Sequence, residues 1–194
     1  MSVNLTKGQK ISLSKESGTP LNQIIMGLGW DVTKKSGGLL SIFSSSNEID
    51  LDASCLLFDQ NNQIVDAVWF QQLRSRGGCV QHTGDNVTGA GEGDDEQILV
   101  SLSTVPMGVK YLVFVVNSFS GHSFERVQNA YCRLVDATTQ QEVARYQLNS
   151  QGPHTAMVMA KLYRHAGEWK MHAIGETGRG KTFHDLLPVI SSHL

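Results

Sequence analysis

Along this chain the apolar residues come in short runs, and several runs alternate with polar residues at a period of two. In "EVARYQL" (142–148), Val143, Arg145 and Gln147 fall on one face and Ala144, Tyr146 and Leu148 on the other. That is the pattern of a half-buried strand. The same reading gives strands at "KISLS" (10–14), "QIIMGLGW" (23–30), "IDLDASCLLF" (49–58), "IVDAVWF" (64–70) and "QILVSL" (97–102). It gives four more at "YLVFVVN" (111–117), "NAYCRLVD" (129–136), "TAMVMAKLYR" (155–164) and "EWKMHAIG" (168–175). Gly, Asn, Asp and Ser separate the runs, with "DATTQQ" and "AGEW" as turns between neighbouring strands. Many strands with a turn about every ten residues predict a mainly β fold, an antiparallel sandwich of two sheets. A few short helices complete it: "SFERVQNA" (123–130) and "TFHDLLPVISSHL" (182–194), the latter limited by Pro188 to a turn or two before a kink. Residues 33–47, rich in Ser and Gly, read as an exposed insertion between two strands. No repeat or boundary interrupts the pattern, so residues 1–194 are expected to form a single domain.

Composition adds little that is specific. Hydrophobic residues make up 40 % and charged residues 18 %, with a net charge of −2, an ordinary globular balance. No basic stretch suggests nucleic-acid binding. The polar start, "MSVNLTKGQKISLSKES", carries no signal-peptide or lipidation pattern. The longest tight apolar run, Tyr111 to Val116, is too short to span a bilayer, so no direct membrane insertion is expected. Cys55, Cys79 and Cys132 form no C-x-x-C pair and read as buried free thiols of a reducing compartment, which makes the cytoplasm the default location.

The distribution of acids is more informative. "HTGDNVTGAGEGDDE" (82–96) holds Asp85, Asn86, Glu92, Asp94, Asp95 and Glu96, yet no Lys or Arg occurs between Arg76 and Lys110. Two unit charges about 4 Å apart interact by roughly 1 kcal/mol in water and several-fold more near a protein surface. The carboxylates must splay into solvent, take up protons or bind a cation. Gly84, Gly89, Gly91 and Gly93 favour the last, because they let the backbone turn sharply and aim carbonyls inward. Calcium takes six to eight oxygen ligands of these types. Zinc is disfavoured, since only Cys79 and His82 offer softer donors nearby. In "IDLDAS", alternation puts Asp50, Asp52 and Ser54 on one face of a strand. Neither element is an EF-hand: counted from Asp50, the glycine position holds Cys55 and the terminal glutamate position holds Asn61, and from Asp85 positions three and five are Val87 and Gly89. Any ion site is therefore assembled from distant segments, and a solvated acidic turn is the competing reading.

The order of "GLGWD" (27–31), "DLDAS" (50–54), "HTGDNVTGAGEGDDEQI" (82–98), "VPMGVKYLVFVVN" (105–117), "NAYCRLVD", "EVARYQL" and "TAMVMAKLYRHAGEWKMHAIG" resembles the TerD family of tellurite-resistance and general-stress proteins. The likeness covers nearly the whole chain. It implies a calcium-binding β-sandwich, typically with two adjacent ions, in a bacterial stress operon linked to tellurite, phage or colicin resistance. It implies no catalytic activity, and as partners other proteins of the operon, some membrane-associated. Carried over by position, the implied ligands are Asp31, Asp50, Asp52, Asp85, Asn86, Glu92, Asp94, Asp95 and Glu96. Main-chain carbonyls near Leu51 and Thr88 would complete the shells, and His82 would hydrogen-bond a ligand carboxylate. The chain departs from the family pattern in the longer insertion at 33–47, in Val87 and Ala90, and after "HAIG".

That last departure contains "GETGRGKT" (175–182), which satisfies G-x-x-x-x-G-K-[ST] between a strand and a candidate helix. It makes nucleotide binding through Lys181 the alternative function. Against it, nothing upstream alternates strand and helix as a parallel P-loop sheet requires. Ser12, Ser14 and Ser54 lack a nucleophile-elbow pattern, so no hydrolase is expected.

Overall fold

The computed structural model describes residues 2–18, 20–32, 51–84, 93–148 and 151–194. Two six-stranded sheets pack face to face, as the alternation predicts. In chain order the strands are β1 (Val3–Leu5), β2 (Lys10–Ser12), β3 (Gln23–Val32), β4 (Leu51–Asp59), β5 (Ile64–Val68) and β6 (Val80–His82). They continue as β7 (Glu96–Ser101), β8 (Val109–Ser118), β9 (Val127–Asp136), β10 (Glu142–Gln147), β11 (Ala156–His165) and β12 (Glu168–Gly178). The first sheet runs β1-β10-β9-β3-β7-β6 and the second β2-β12-β11-β8-β4-β5. Among the described residues two five-residue helices, α1 (Leu13–Ser17) and α2 (Leu187–Ser191), and short 3-10 turns accompany the sheets. Among the described residues no helix is long and apolar enough to cross a membrane.

Each predicted strand is found, but "KISLS" is strand only over Lys10–Ser12 and then enters helix α1 (Leu13–Ser17), which was not expected, and residues 49–50 of "IDLDASCLLF" lie outside the described residues. β1 and β6, three residues each, are additional. Two further expectations need correcting. The sandwich is not wholly antiparallel: β1 pairs with β10 in parallel, a contact that local patterning cannot encode. "SFERVQNA" forms one 3-10 turn, Phe124–Arg126, and then enters β9. Long-range pairing of Val127 with Val32 and Tyr131 with Gly29 overrides its weak helical pattern.

Alternation decides which side chains fill the space between the sheets. Leu28 and Met26 of β3, Ile98 of β7, Leu112 and Phe114 of β8 and Leu134 of β9 are wholly buried there. The second sheet also buries its outer face, where Leu56, Val113, Val115, Val158 and Ile174 meet Phe183, Leu186 and Ile190 of the C-terminal segment. The β11–β12 hairpin turns through Ala166 and Gly167, both at positive φ (51° and 79°), the backbone of a type I′ turn matched to strand twist.

Candidate metal centre at the acidic pole

The C-terminal end of β3 and the N-terminal ends of β4 and β7 meet at one pole of the sandwich. Leu28 pairs with Glu96 across β3 and β7, and Ala53 of β4 donates its N–H to Glu96 Oε2 at 2.6 Å. Val32, Leu51, Gly84 and Gly93, which flank segments 33–50 and 85–92, all belong to this pole. Asp50, Asp85, Asn86 and Glu92 lie outside the described residues, as does Thr88. Asp31, Asp52, Asp94, Asp95 and Glu96 lie within them.

These five take three directions. Glu96 points between the sheets, 2 % exposed, and joins β7 of one sheet to β4 of the other. His82 Nε2 stands 3.4 Å from Glu96 Oε2, both side chains about 1 % exposed. His82 Nδ1 accepts the Gly84 N–H at 3.1 Å, so the ring's remaining proton belongs on Nε2, facing the carboxylate. Asp52 faces outward from the second sheet, 6 % exposed, directly opposite Asn117 of β8. Asp31 is exposed on the outer side of the first sheet, where Asn129 Nδ2 donates to its Oδ2 at 2.7 Å. Asn129 reaches it from a bulge. Gly29 and Asp31 of β3 oppose Tyr131 and Gln128 of β9, and Asn129 takes a positive φ of 52°. Asp95 Oδ2 accepts the Trp30 N–H at 2.8 Å. Burial raises the Asp95 carboxyl above its usual range, the Trp30 N–H pulls it back, and the charges of Asp31 and Asp94 add to the rise.

Asp94 finds the cation that its own neighbourhood in sequence lacks. Arg133 of β9 donates Nε to Asp94 Oδ1 at 2.7 Å and Nη2 to Oδ2 at 3.0 Å, a bidentate pair. Tyr131 Oη donates to Asp94 Oδ1 at 3.0 Å and to the Gly93 carbonyl at 2.7 Å, and Gln97 Nε2 donates to Oδ2 at 3.2 Å. The Asp94 side chain is only 1 % exposed. Burial pushes the Tyr131 hydroxyl up to about 12, with Asp94 adding to it. Arg145 of β10 lies over the Tyr131 ring at 4.1 Å and holds Glu142 at 2.8 Å. The glycines of "GLGWD" make room for this group. A Cβ on Gly27 would stand 2.1 Å from Asp94 Oδ2, and one on Gly29 would stand 2.5 Å from the Tyr131 ring. Sequence reasoning missed Tyr131 and Arg133 because they lie 37 and 39 residues from Asp94. Their only local signal is the period-two spacing that puts both on one face of β9.

Among the described residues no three His, Cys, Asp or Glu side chains converge closely enough to hold an ion by themselves. A complete shell would have to draw on segments 33–50 and 85–92. A cavity of about 410 Å³ lies at the opposite pole, between Leu57, Val65, Cys79, Pro106 and Val109 with Asp59, Asp66 and Arg76 also on its wall, and touches none of the five acids above.

The P-loop pattern is not built as a P-loop. Glu176, Thr177 and Gly178 continue β12, paired with Val158, Met157 and Ala156 of β11. Beyond it the Asp185 carboxylate accepts the N–H groups of Lys181 at 2.9 Å and Thr182 at 3.2 Å, where a phosphate oxygen would sit. Calorimetry with magnesium ATP should therefore give the same negligible heat for the wild type and Lys181→Ala. Saturable heat lost in the variant would restore the nucleotide reading.

Comparison with known proteins follows the same line. The family model described as TerD domain matches residues 1–187. The chain is 50 % identical over 184 residues to tellurium resistance protein TerZ of Serratia marcescens, covering 95 % of this chain and 94 % of that one. It is 39 % identical over 197 residues to stress response protein SCP2 of Bacillus subtilis (strain 168), covering 96 % and 98 %. The crystal structure of a homologue of telluride resistance protein (TerD) from Streptomyces coelicolor A3(2) superposes with a TM-score of 0.66 at 18 % identity, over 82 % of this chain and 92 % of the other. A β-sandwich matched along nearly its full length by the TerD family model and by TerZ places this chain in the TerD family of tellurium-resistance and stress-response proteins.

Proposed function

We propose that this chain is a non-enzymatic calcium-binding module of a bacterial tellurium-resistance and stress response, acting in the cytoplasm. The observation that carries the reading is the Asn117 carboxamide. It is 1 % exposed, it lies directly across from Asp52, and neither Oδ1 nor Nδ2 has a hydrogen-bond partner among the described residues. An unpaired buried amide costs roughly 1–3 kcal/mol. A hard cation at this pole would take Oδ1 as a ligand and offset the crowding of acids around it. Asp52, Asp31, Asp95 and Glu96 supply oxygens of the type calcium prefers, with Asp50, Asp85, Asn86 and Glu92 on the adjoining segments. Asp94 has both oxygens on Arg133, so its part is to anchor residues 93–96. Two adjacent ions fit the number of carboxylates. When bound, calcium supplies positive charge that locks the segments together. The chain's own residues fix the strand ends that receive it. The liganded pole would be the surface offered to partner proteins of the same stress operon, some of them membrane-associated.

Calcium at about a hundred times its dissociation constant should stabilise the fold by about 2.7 kcal/mol, or about 5–10 °C in melting temperature for a chain of this size. A chelator should reverse the gain, and Asp52→Asn or Asn117→Ala should diminish it. Native mass spectrometry should count the ions. Melting curves that overlay with calcium and with chelator would defeat the proposal.

A further inference from the structure

A second cluster of charge lies on the outer face of the second sheet, away from the acidic pole. Lys10 of β2, His172 of β12 and Lys161 of β11 are direct cross-strand neighbours, Lys10 with His172 and His172 with Lys161. Residues so paired share a face, with Cβ atoms about 5 Å apart. Lys170 stands on the same face two residues from His172. Lys161 is 8 % exposed, and its Nζ donates to the His193 carbonyl. Lys161 Nζ lies 4.9 Å from the centre of the Tyr111 ring and Lys110 Nζ lies 5.0 Å from it, so one ring meets two ammonium groups. Among the described residues no ion pair joins Lys10, Lys110, Lys161, Lys170 or His172 to a carboxylate. Of the acids of β12, Glu168 lies on this face and accepts from Ser12 Oγ, the neighbour of Lys170, at 2.9 Å, and Glu176 pairs with Lys7 Nζ at 2.9 Å. His172 Nδ1 is buried without a hydrogen-bond partner among the described residues.

A fold does not set a buried lysine, Lys161, and a half-buried histidine, His172, against further cations without cost. Burial first, then Lys10 and Lys110, lower the Lys161 ammonium to about 8. Burial, Lys10, Lys161 and His193 lower His172 to about 4. An anion seated among them would relieve both effects. The cluster is compact. The row ends at edge strand β2 on one side, and on the other it passes into Val113 and Leu56 beneath the C-terminal segment. That leaves no extended basic track for a nucleic-acid strand. N–H donors from three adjacent strands on one face suit an anion with several oxygens.

We propose that the Lys10–His172–Lys161 row is a binding site for a compact oxyanion of the phosphate class, either free or as the headgroup of a lipid. The site goes beyond the calcium reading and does not depend on it. The test follows the His172 ring resonances of the full chain while inorganic phosphate replaces chloride at constant ionic strength and pH 7. Saturable shifts are expected. Lys10→Gln, an exposed change that leaves packing intact, and Lys161→Met should each weaken apparent affinity about tenfold, the loss of one charge contact. Flotation with phosphatidylcholine vesicles, with and without phosphatidic acid, distinguishes the sources. Phosphate shifts without flotation assign a free anion, and flotation that requires phosphatidic acid and is lost in Lys10→Gln assigns a headgroup. His172 shifts that are absent, or equal in wild type and Lys10→Gln, with no charge-dependent flotation, would overturn the site.

Discussion

Replacing Arg133 by alanine is expected to lower the melting temperature by about 4–16 °C, equivalent to about 2–4 kcal/mol at this chain length. The Asp94 carboxylate is 1 % exposed and takes both guanidinium contacts of Arg133. Removing the cation strands a buried charge, and breaking such pairs typically costs about 3–5 kcal/mol. The lower figure is adopted because Arg133 is 27 % exposed and Tyr131 and Gln97 still donate to Asp94. Asp94→Asn in the Arg133→Ala background should recover part of the loss, since an amide needs no counter-charge. Gly27→Ala should show a loss of similar size by a different route, because its methyl group would overlap Asp94 Oδ2. The measurement is thermal and urea unfolding of the single and double variants. If Arg133→Ala melts within a degree or two of the wild type, the pair is ornamental and residues 93–96 are held by something else.

Leu186→Ala and Ile190→Ala should each destabilise by about 2–5 kcal/mol, as truncations in well-packed cores do. Both side chains are wholly buried, and they cover apolar residues on the outer face of the second sheet. Trp69 supplies a local reporter, since its ring meets Phe183 edge-on at 5.2 Å. Loss of the segment should shift tryptophan emission to the red before the sandwich unfolds. Emission and far-ultraviolet dichroism changing together, with wild-type midpoints, would mean that the segment contributes little.

Much of this architecture is legible in the chain because strand alternation is a local property. "EVARYQL" puts Ala144 and Tyr146 inside and Arg145 outside, as its pattern requires, but a register shift between Glu142 and Ala144 also buries Val143, which the pattern had placed with Arg145. β1 and β6, three residues each, escaped because neither lies within a longer apolar run such as the one that marked β2. The parallel partnership of β1 and the bulge that aims Asn129 at Asp31 arise only when remote segments pair. The acidic cluster was visible as a composition anomaly, but its counter-charge was not. Arg133 lies in "NAYCRLVD", and only the register of β9 against β3 and β10 brings it beside Asp94. The "GETGRGKT" match, kept only as the alternative, makes no phosphate cradle for a related reason. A short motif specifies residue types, whereas a phosphate cradle needs free backbone donors, and Asp185 has taken them.

The outermost strands of the two sheets are β1 and β6, and β2 and β5, with lengths of three, three, three and five residues. A margin that short exposes only a few unpaired amides in line, too few to template a neighbouring molecule's backbone. Concentrated solutions of this protein should therefore resist growth into cross-β fibres along these margins.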